Sequence, residues 1–197
     1  MIRIGIAGIG FMGRIHYLAA QKLRDAAVAA VCSRDPKKLA GDWRNTRGNF
    51  GPEPGQVDLS AVKRYASFDE MLADREIDLV DVCTVTDQHV PMALAALKAG
   101  KHVLVEKPIA LEARDADAMV KAARKADRLL MVAHILPLLP EFAFAAEAVC
   151  GGDYGNSSAP TSSASSPSRT GRPTSPTRRR PAAPRSTCTS TTPTSSA

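Results

Sequence analysis

Five short runs of this chain are apolar at nearly every position: IRIGIA at 2–7, AVAAVC at 27–32, IDLVDVCTV at 77–85, HVLVE at 102–106 and LLMVAHI at 129–135. A strand with one wet face alternates apolar and polar side chains. Strands that are apolar on both faces belong to a parallel sheet covered on both sides. Helical patterns separate them, at 11–23, 36–39, 68–73, 89–99 and 112–126, the fourth closed by Gly100 as a C-terminal cap. VKRYA at 62–66 reads as a weaker strand, and 140–149 as a last helix. Residues 40–59, rich in Gly, Pro and Asn, read as a long loop anchored by Trp43 and Phe50. Strand–helix alternation with right-handed crossovers predicts an α/β fold, a doubly wound parallel sheet.

The first strand-to-helix turn carries Gly8, Gly10 and Gly13 in G-x-G-x-x-G spacing. In this context each glycine has its own task. Gly8 permits the tight turn, Gly10 lets a pyrophosphate approach the backbone, and Gly13 lets the helix pack against the strand. The free N–H groups at the helix start, at Phe11 and Met12, and the helix dipole would then hold the phosphates of a nicotinamide dinucleotide.

About twenty residues further on, an acid that grips the ribose 2′-hydroxyl of NAD is expected at the end of the second strand. That strand ends Cys32-Ser33-Arg34. Ser33 removes the repelling charge and Arg34 can pair with a 2′-phosphate, with Lys37 and Lys38 adding positive field. This favours NADP. NAD stays open as the alternative, with Arg34 solvated and Asp35 in the acidic role.

The sheet pattern stops before the chain does. From Asn156 to Ala197 there is no Asp, Glu, Lys, Leu, Ile, Val, Met, Phe, Tyr or Trp. Such a segment cannot bury enough apolar surface to offset the entropy of ordering it, so a disordered tail is expected over 156–197, after a dinucleotide-binding domain over 1–155. The tail's arginines account for the whole formal net charge of +6. The folded part is balanced, which argues against nucleic acid or an anionic membrane as its partner. Cys32, Cys83, Cys150 and Cys188 show no metal-ligand or C-x-x-C spacing, and no metal is expected. No leader or span-length apolar run is read, and a cytoplasmic protein is expected.

Together with the glycine turn, the stretch DLVDVCTVTDQHVPMALAALKAGKHVLVEKPIAL resembles the Gfo/Idh/MocA family of NAD(P)-dependent oxidoreductases, from Met1 to about Gly155. AGKHVLVEKP is the most specific piece. The resemblance implies a Rossmann domain and a small polyol, sugar-like or cyclitol-like substrate. It implies that Lys107 hydrogen-bonds the reacting hydroxyl and assists its deprotonation. Glu106, Thr84 and Thr86 would join the cofactor-binding set. His89 would open the fourth helix near the ribose, with capping or packing as its other reading. His134 would face the nicotinamide, whereas His16 and His102 read as structural. Val85 stands where the family has Pro. Pro137 stands near where relatives place an Arg, which leaves substrate contacts open there.

Family members also carry a second, mostly antiparallel α+β domain with an acid–histidine motif resembling D-x-H-x-H-D, which is expected to be missing here. Without it, an oligomer is not expected, and the chain is expected to be inactive as it stands. A different reading makes the chain a non-catalytic NADP(H)-binding protein with a basic tether.

The tail's composition has a second explanation. Read one base earlier, codons for Thr187 to Ser196 can encode DLHIHDTHFI, and those for Thr161 to Ser196 a continuous run of such a domain. Loss of one G turns codons for Gly-Lys-Leu into Gly155-Asn156-Ser157. Sequencing the gene across Tyr154 to Ser157 decides between two outcomes: one extra base that restores this frame would make the tail an error of the record. A confirmed absence of that base would make the tail a true product.

Overall fold

A computed structural model describes residues 1–151. The tail expected from Asn156, and the frame change that would explain it, lie outside the described residues. A first unit spans Met1–His134 and a second begins at Ile135. In the second, a 3-10 turn at Leu136–Leu138 precedes helix α6 (Pro140–Gly151).

The first unit alternates β1 (Ile2–Ala7), α1 (Phe11–Ala20), β2 (Ala26–Cys32), α2 (Pro36–Leu39), β3 (Lys63–Tyr65), α3 (Phe68–Ala73), β4 (Leu79–Val82), α4 (Thr86–Lys98), β5 (His102–Val105), α5 (Ala113–Ala126) and β6 (Leu130–Val132). All pairings are parallel, in the order β3-β2-β1-β4-β5-β6. The chain leaves β1 toward β2 and β3 and later returns to β4 beside β1. Ligands of such sheets bind in the crevice outside the carboxyl ends of these two strands.

Successive strand residues face opposite layers. Ala7, Ala30, Val80, Val82, Val103 and Val105 join Met71, Ala93, Leu97 and Met119 in one buried cluster. Ile6, Val28, Val31 and Cys83 join Tyr17, Trp43 and Leu59 in the other. The second layer is thus α1 together with the long loop. Trp43 is fully buried, its indole N–H donating to the Lys38 carbonyl at 2.8 Å and its ring edge-on to Tyr17 at 4.8 Å. Phe50, the other expected anchor, is half exposed but meets Phe11 edge-on at 4.7 Å.

Several bounds differ from those read in the sequence. α4 opens at Thr86 rather than His89, because Gln88 N–H already bonds the Val85 carbonyl and Asp87 sits in the first turn, where the dipole favours an acid. β4 ends at Val82; Cys83 N–H still bonds the Ala7 carbonyl of β1 at 2.8 Å, and Thr84 and Val85 then lead into α4. α1 stops at Ala20, leaving Leu23 exposed.

At the opposite, amino-terminal edge, Asp78 ties β1 to the start of β4. Its carboxylate accepts from Arg3 N–H at 2.8 Å and from the guanidinium at 2.8 and 3.0 Å. Arg3 holds the Asp78 pKa down to about 2. A depressed carboxylate stabilises the fold above its unfolded value near about 3.9, and the contribution is lost as pH falls toward its folded value. Acid titration followed by circular dichroism should therefore show a stability loss below about pH 4, and Asp78→Asn should flatten part of it. A separate substitution tests the central packing: Gly13→Ala should cost roughly 1–3 kcal/mol or more in urea denaturation.

Candidate functional site

A cleft of about 1050 Å³ opens across the carboxyl ends of the strands. That is at the upper end of small-molecule sites, at about 300–1,000 Å³. Its floor is the β1–α1 turn. Gly8 adopts φ +94°, and a Cβ there would lie 2.8 Å from the Cys83 carbonyl oxygen. Gly13 does not line the cleft. It lies behind the turn, where a Cβ would meet the Gly8 carbonyl oxygen at 2.0 Å. Gly10 faces open space, with nothing within 4 Å of a built Cβ.

Gly10 is also the N-cap of α1 and offers no side-chain cap. The first intrahelical bond there runs from Arg14 N–H to the Gly10 carbonyl. The N–H groups of Phe11 and Met12 therefore stand at a helix N-terminus on the cleft wall, where an anion is favoured.

The other expected residues come from three further strand ends. Ser33, Arg34 and Asp35, after β2, line the same cleft with Lys38. The Asp35 carboxylate is engaged locally, accepting from Lys37 N–H at 2.9 Å to cap α2. Thr84 and Thr86 lie at the β4–α4 turn, the Thr84 methyl packing against Gly8. Glu106 and Lys107 follow β5; Glu106 is buried and Lys107 exposed. The Lys107–Pro108 peptide is cis.

His89 lines the cleft too, yet its ring is 1% exposed. Nδ1 lies 2.8 Å from the Pro108 carbonyl and Nε2 3.1 Å from that of Thr84. It ties the β4 turn to the Glu106-Lys107-Pro108 turn, the packing role left open in the sequence. His134 is exposed and is not among the cleft's lining residues.

Beneath the glycine turn lies a cluster that the sequence did not disclose. His16, on α1, places Nδ1 2.8 Å from Asp81 Oδ2 and Nε2 3.1 Å from Glu106 Oε1. Cys83 Sγ is 3.3 Å from Nδ1 and donates to Asp81 Oδ1 at 3.4 Å. Burial pulls the imidazole toward its neutral form, but Asp81 and then Glu106 outweigh it and raise the pKa above the ordinary histidine value. Burial, reinforced by Asp81, pushes the Cys83 thiol well up and keeps it protonated. The available signal was Asp81 itself, an acid inside an apolar central strand, which must find a partner when buried.

Chemically, the cleft offers uncapped helix N–H groups for phosphate, two cations and the capping carboxylate of Asp35 at its β2 end, and an ammonium at its β5 end. Among known proteins, the family model described as "Oxidoreductase family, NAD-binding Rossmann fold" matches residues 2–134. The chain is 33% identical over 129 residues to myo-inositol 2-dehydrogenase of Thermotoga maritima, covering 66% of this chain and 35% of that protein. It is 38% identical over 136 residues to 1,5-anhydro-D-fructose reductase of Ensifer adhaerens, covering 69% and 37%. The solved structure of the WlbA dehydrogenase from Chromobacterium violaceum, in complex with NADH and UDP-GlcNAcA, superposes with TM-score 0.66 at 28% identity, covering 78% of this chain and 41% of that one. The chain thus spans little more than a third of the length of these curated relatives. Over that span it belongs to the Gfo/Idh/MocA family of oxidoreductases, as the NAD-binding Rossmann domain of that family.

Proposed function

We propose that this domain holds a nicotinamide dinucleotide in the cleft and serves hydride transfer to or from a secondary alcohol or ketone of a sugar- or cyclitol-like substrate. The observation that carries the reading is Lys107. It stands exposed at the carboxyl end of β5, in the cleft whose floor is the uncapped glycine turn. The residues present fit the dinucleotide: Gly10 leaves the approach open, and Phe11 and Met12 offer N–H groups to its phosphates. When bound, the nicotinamide supplies the hydride acceptor or donor. Lys107 would hydrogen-bond the reacting oxygen and stabilise the negative charge that develops as its proton leaves. Thr84 and Thr86 would flank the dinucleotide, and Glu106 would complete the wall beside Lys107.

NADP is the proposed cofactor. Ser33, Arg34 and Lys38 line the β2 end of the cleft; Asp35 lines it too, but its carboxylate accepts from Lys37 N–H at 2.9 Å in capping α2. Arg34→Ala should therefore weaken NADPH binding about tenfold, the worth of a charge-assisted pair, and leave NADH binding nearly unchanged in calorimetric titration. Equal losses for both would reject the assignment. The buried thiols of Cys32 and Cys83 support a reducing, cytoplasmic setting.

The complete activity would need groups beyond this domain, as the length of the relatives implies. The 197-residue chain is accordingly proposed to bind dinucleotide without appreciable turnover of myo-inositol or similar polyols. A stopped-flow assay of NADPH formation should read background. Robust turnover would show that the chain is catalytically sufficient and overturn this part.

A further inference from the structure

The buried cluster of His16, Asp81 and Glu106 has no part in the chemistry assigned to Lys107, yet it touches that turn directly. Both nitrogens of the His16 ring face carboxylates. A neutral imidazole donates from one nitrogen only, and would aim the lone pair of the other at a carboxylate oxygen. The arrangement is satisfied when His16 carries both protons. Glu106 then uses its two oxygens in opposite directions: Oε1 accepts from His16, and Oε2 accepts the Lys107 backbone N–H at 3.0 Å.

We propose that His16 is a positioning residue of the dinucleotide site: as an imidazolium clamped between Asp81 and Glu106, it fixes the carboxylate that receives the Lys107 N–H, and so sets the turn that presents Lys107 to the cleft. This rests on the reading of the cleft as a dinucleotide site. The groups facing the ring are Asp81 from β4, Cys83 just after it, and Glu106 just after β5. Loss of the ring proton leaves two carboxylates around a neutral ring beneath the glycine turn. That loosens Glu106 and adds negative charge under the place where phosphates would lie.

The sign follows. A histidine raised in the folded state stabilises the fold below its unfolded value, near about 6.5, and that contribution is lost as pH rises through the folded value. Positioning of Lys107 and affinity for the dinucleotide should fall in the same window, the affinity by roughly three- to tenfold.

The test is a pH titration of the full 15N-labelled chain by nuclear magnetic resonance, reading the His16 ring nitrogens and the Lys107 amide. Both should titrate with one midpoint, above the ordinary histidine value. Asp81→Asn, which removes one carboxylate and leaves Glu106 in place, should move both midpoints down together by roughly one pH unit or more. His16→Gln should remove the titration of the Lys107 amide. A merely structural histidine would leave that amide flat, or titrating with a different midpoint; either result, or an Asp81→Asn shift of the ring alone, overturns the proposal. NADPH affinity measured over the same range separates the two readings. A fall in step with the His16 midpoint supports both. No binding at any pH rejects the dinucleotide site, while the Lys107 amide still decides whether His16 sets the turn.

Discussion

The close approach of α1 to the carboxyl ends of β1 and β4 governs everything else in this domain. With a Cβ at Gly13 only 2.0 Å from the Gly8 carbonyl oxygen, no other residue fits without moving the helix. That contact presses the start of α1 into the turn and directs its N–H groups at the cleft. It also sets the rotation of α1 about its axis. Three residues on, His16 is brought against Asp81 and Glu106, and one further residue on, Tyr17 is brought against Trp43. One steric fact therefore builds the anion-binding floor, the buried charge cluster and half of the second core layer.

Much of this was written in the sequence, for physical reasons. The run AVAAVC must be buried on both faces, and the sheet order places β2 in the interior, whereas LLMVAHI supplies the edge strand β6, with Leu129 and Met131 exposed. The glycine spacing fixes a turn whose geometry admits few alternatives, and the expected cleft residues from four strand ends do converge, with Gly13 behind them. What stayed hidden depends on register and helix rotation. Asp81 reads as one acid in an apolar run until its face is known to be that of Cys83 and α1. His16 reads as a helix residue of no special kind until α1 is docked. α4 begins three residues before the expected His89, at Thr86, and carries Pro91 in its second turn.

The two ends of the sheet hold their ionic groups in different ways. At the amino ends, Arg3 and Asp78 join neighbouring strands through three hydrogen bonds at a partly solvated surface. Near the carboxyl ends, His16, Asp81 and Glu106 form a largely buried cluster whose members depend on one another, and each carboxylate oxygen of Glu106 has its own donor. A change at the first end alters how much folded protein there is. A change in the buried cluster alters stability as well, and with it how the folded protein holds its turns.

The long loop behind α1 has an optical consequence. The chain has a single tryptophan, and Trp43 is wholly enclosed between that loop and Tyr17. Its emission is therefore that of an indole in a dry, rigid setting, and it comes from one layer of the sheet alone. Fluorescence from this residue follows the integrity of the glycine-turn layer and is silent about α4 and α5. The molecule thus carries an internal gauge for one half of its core.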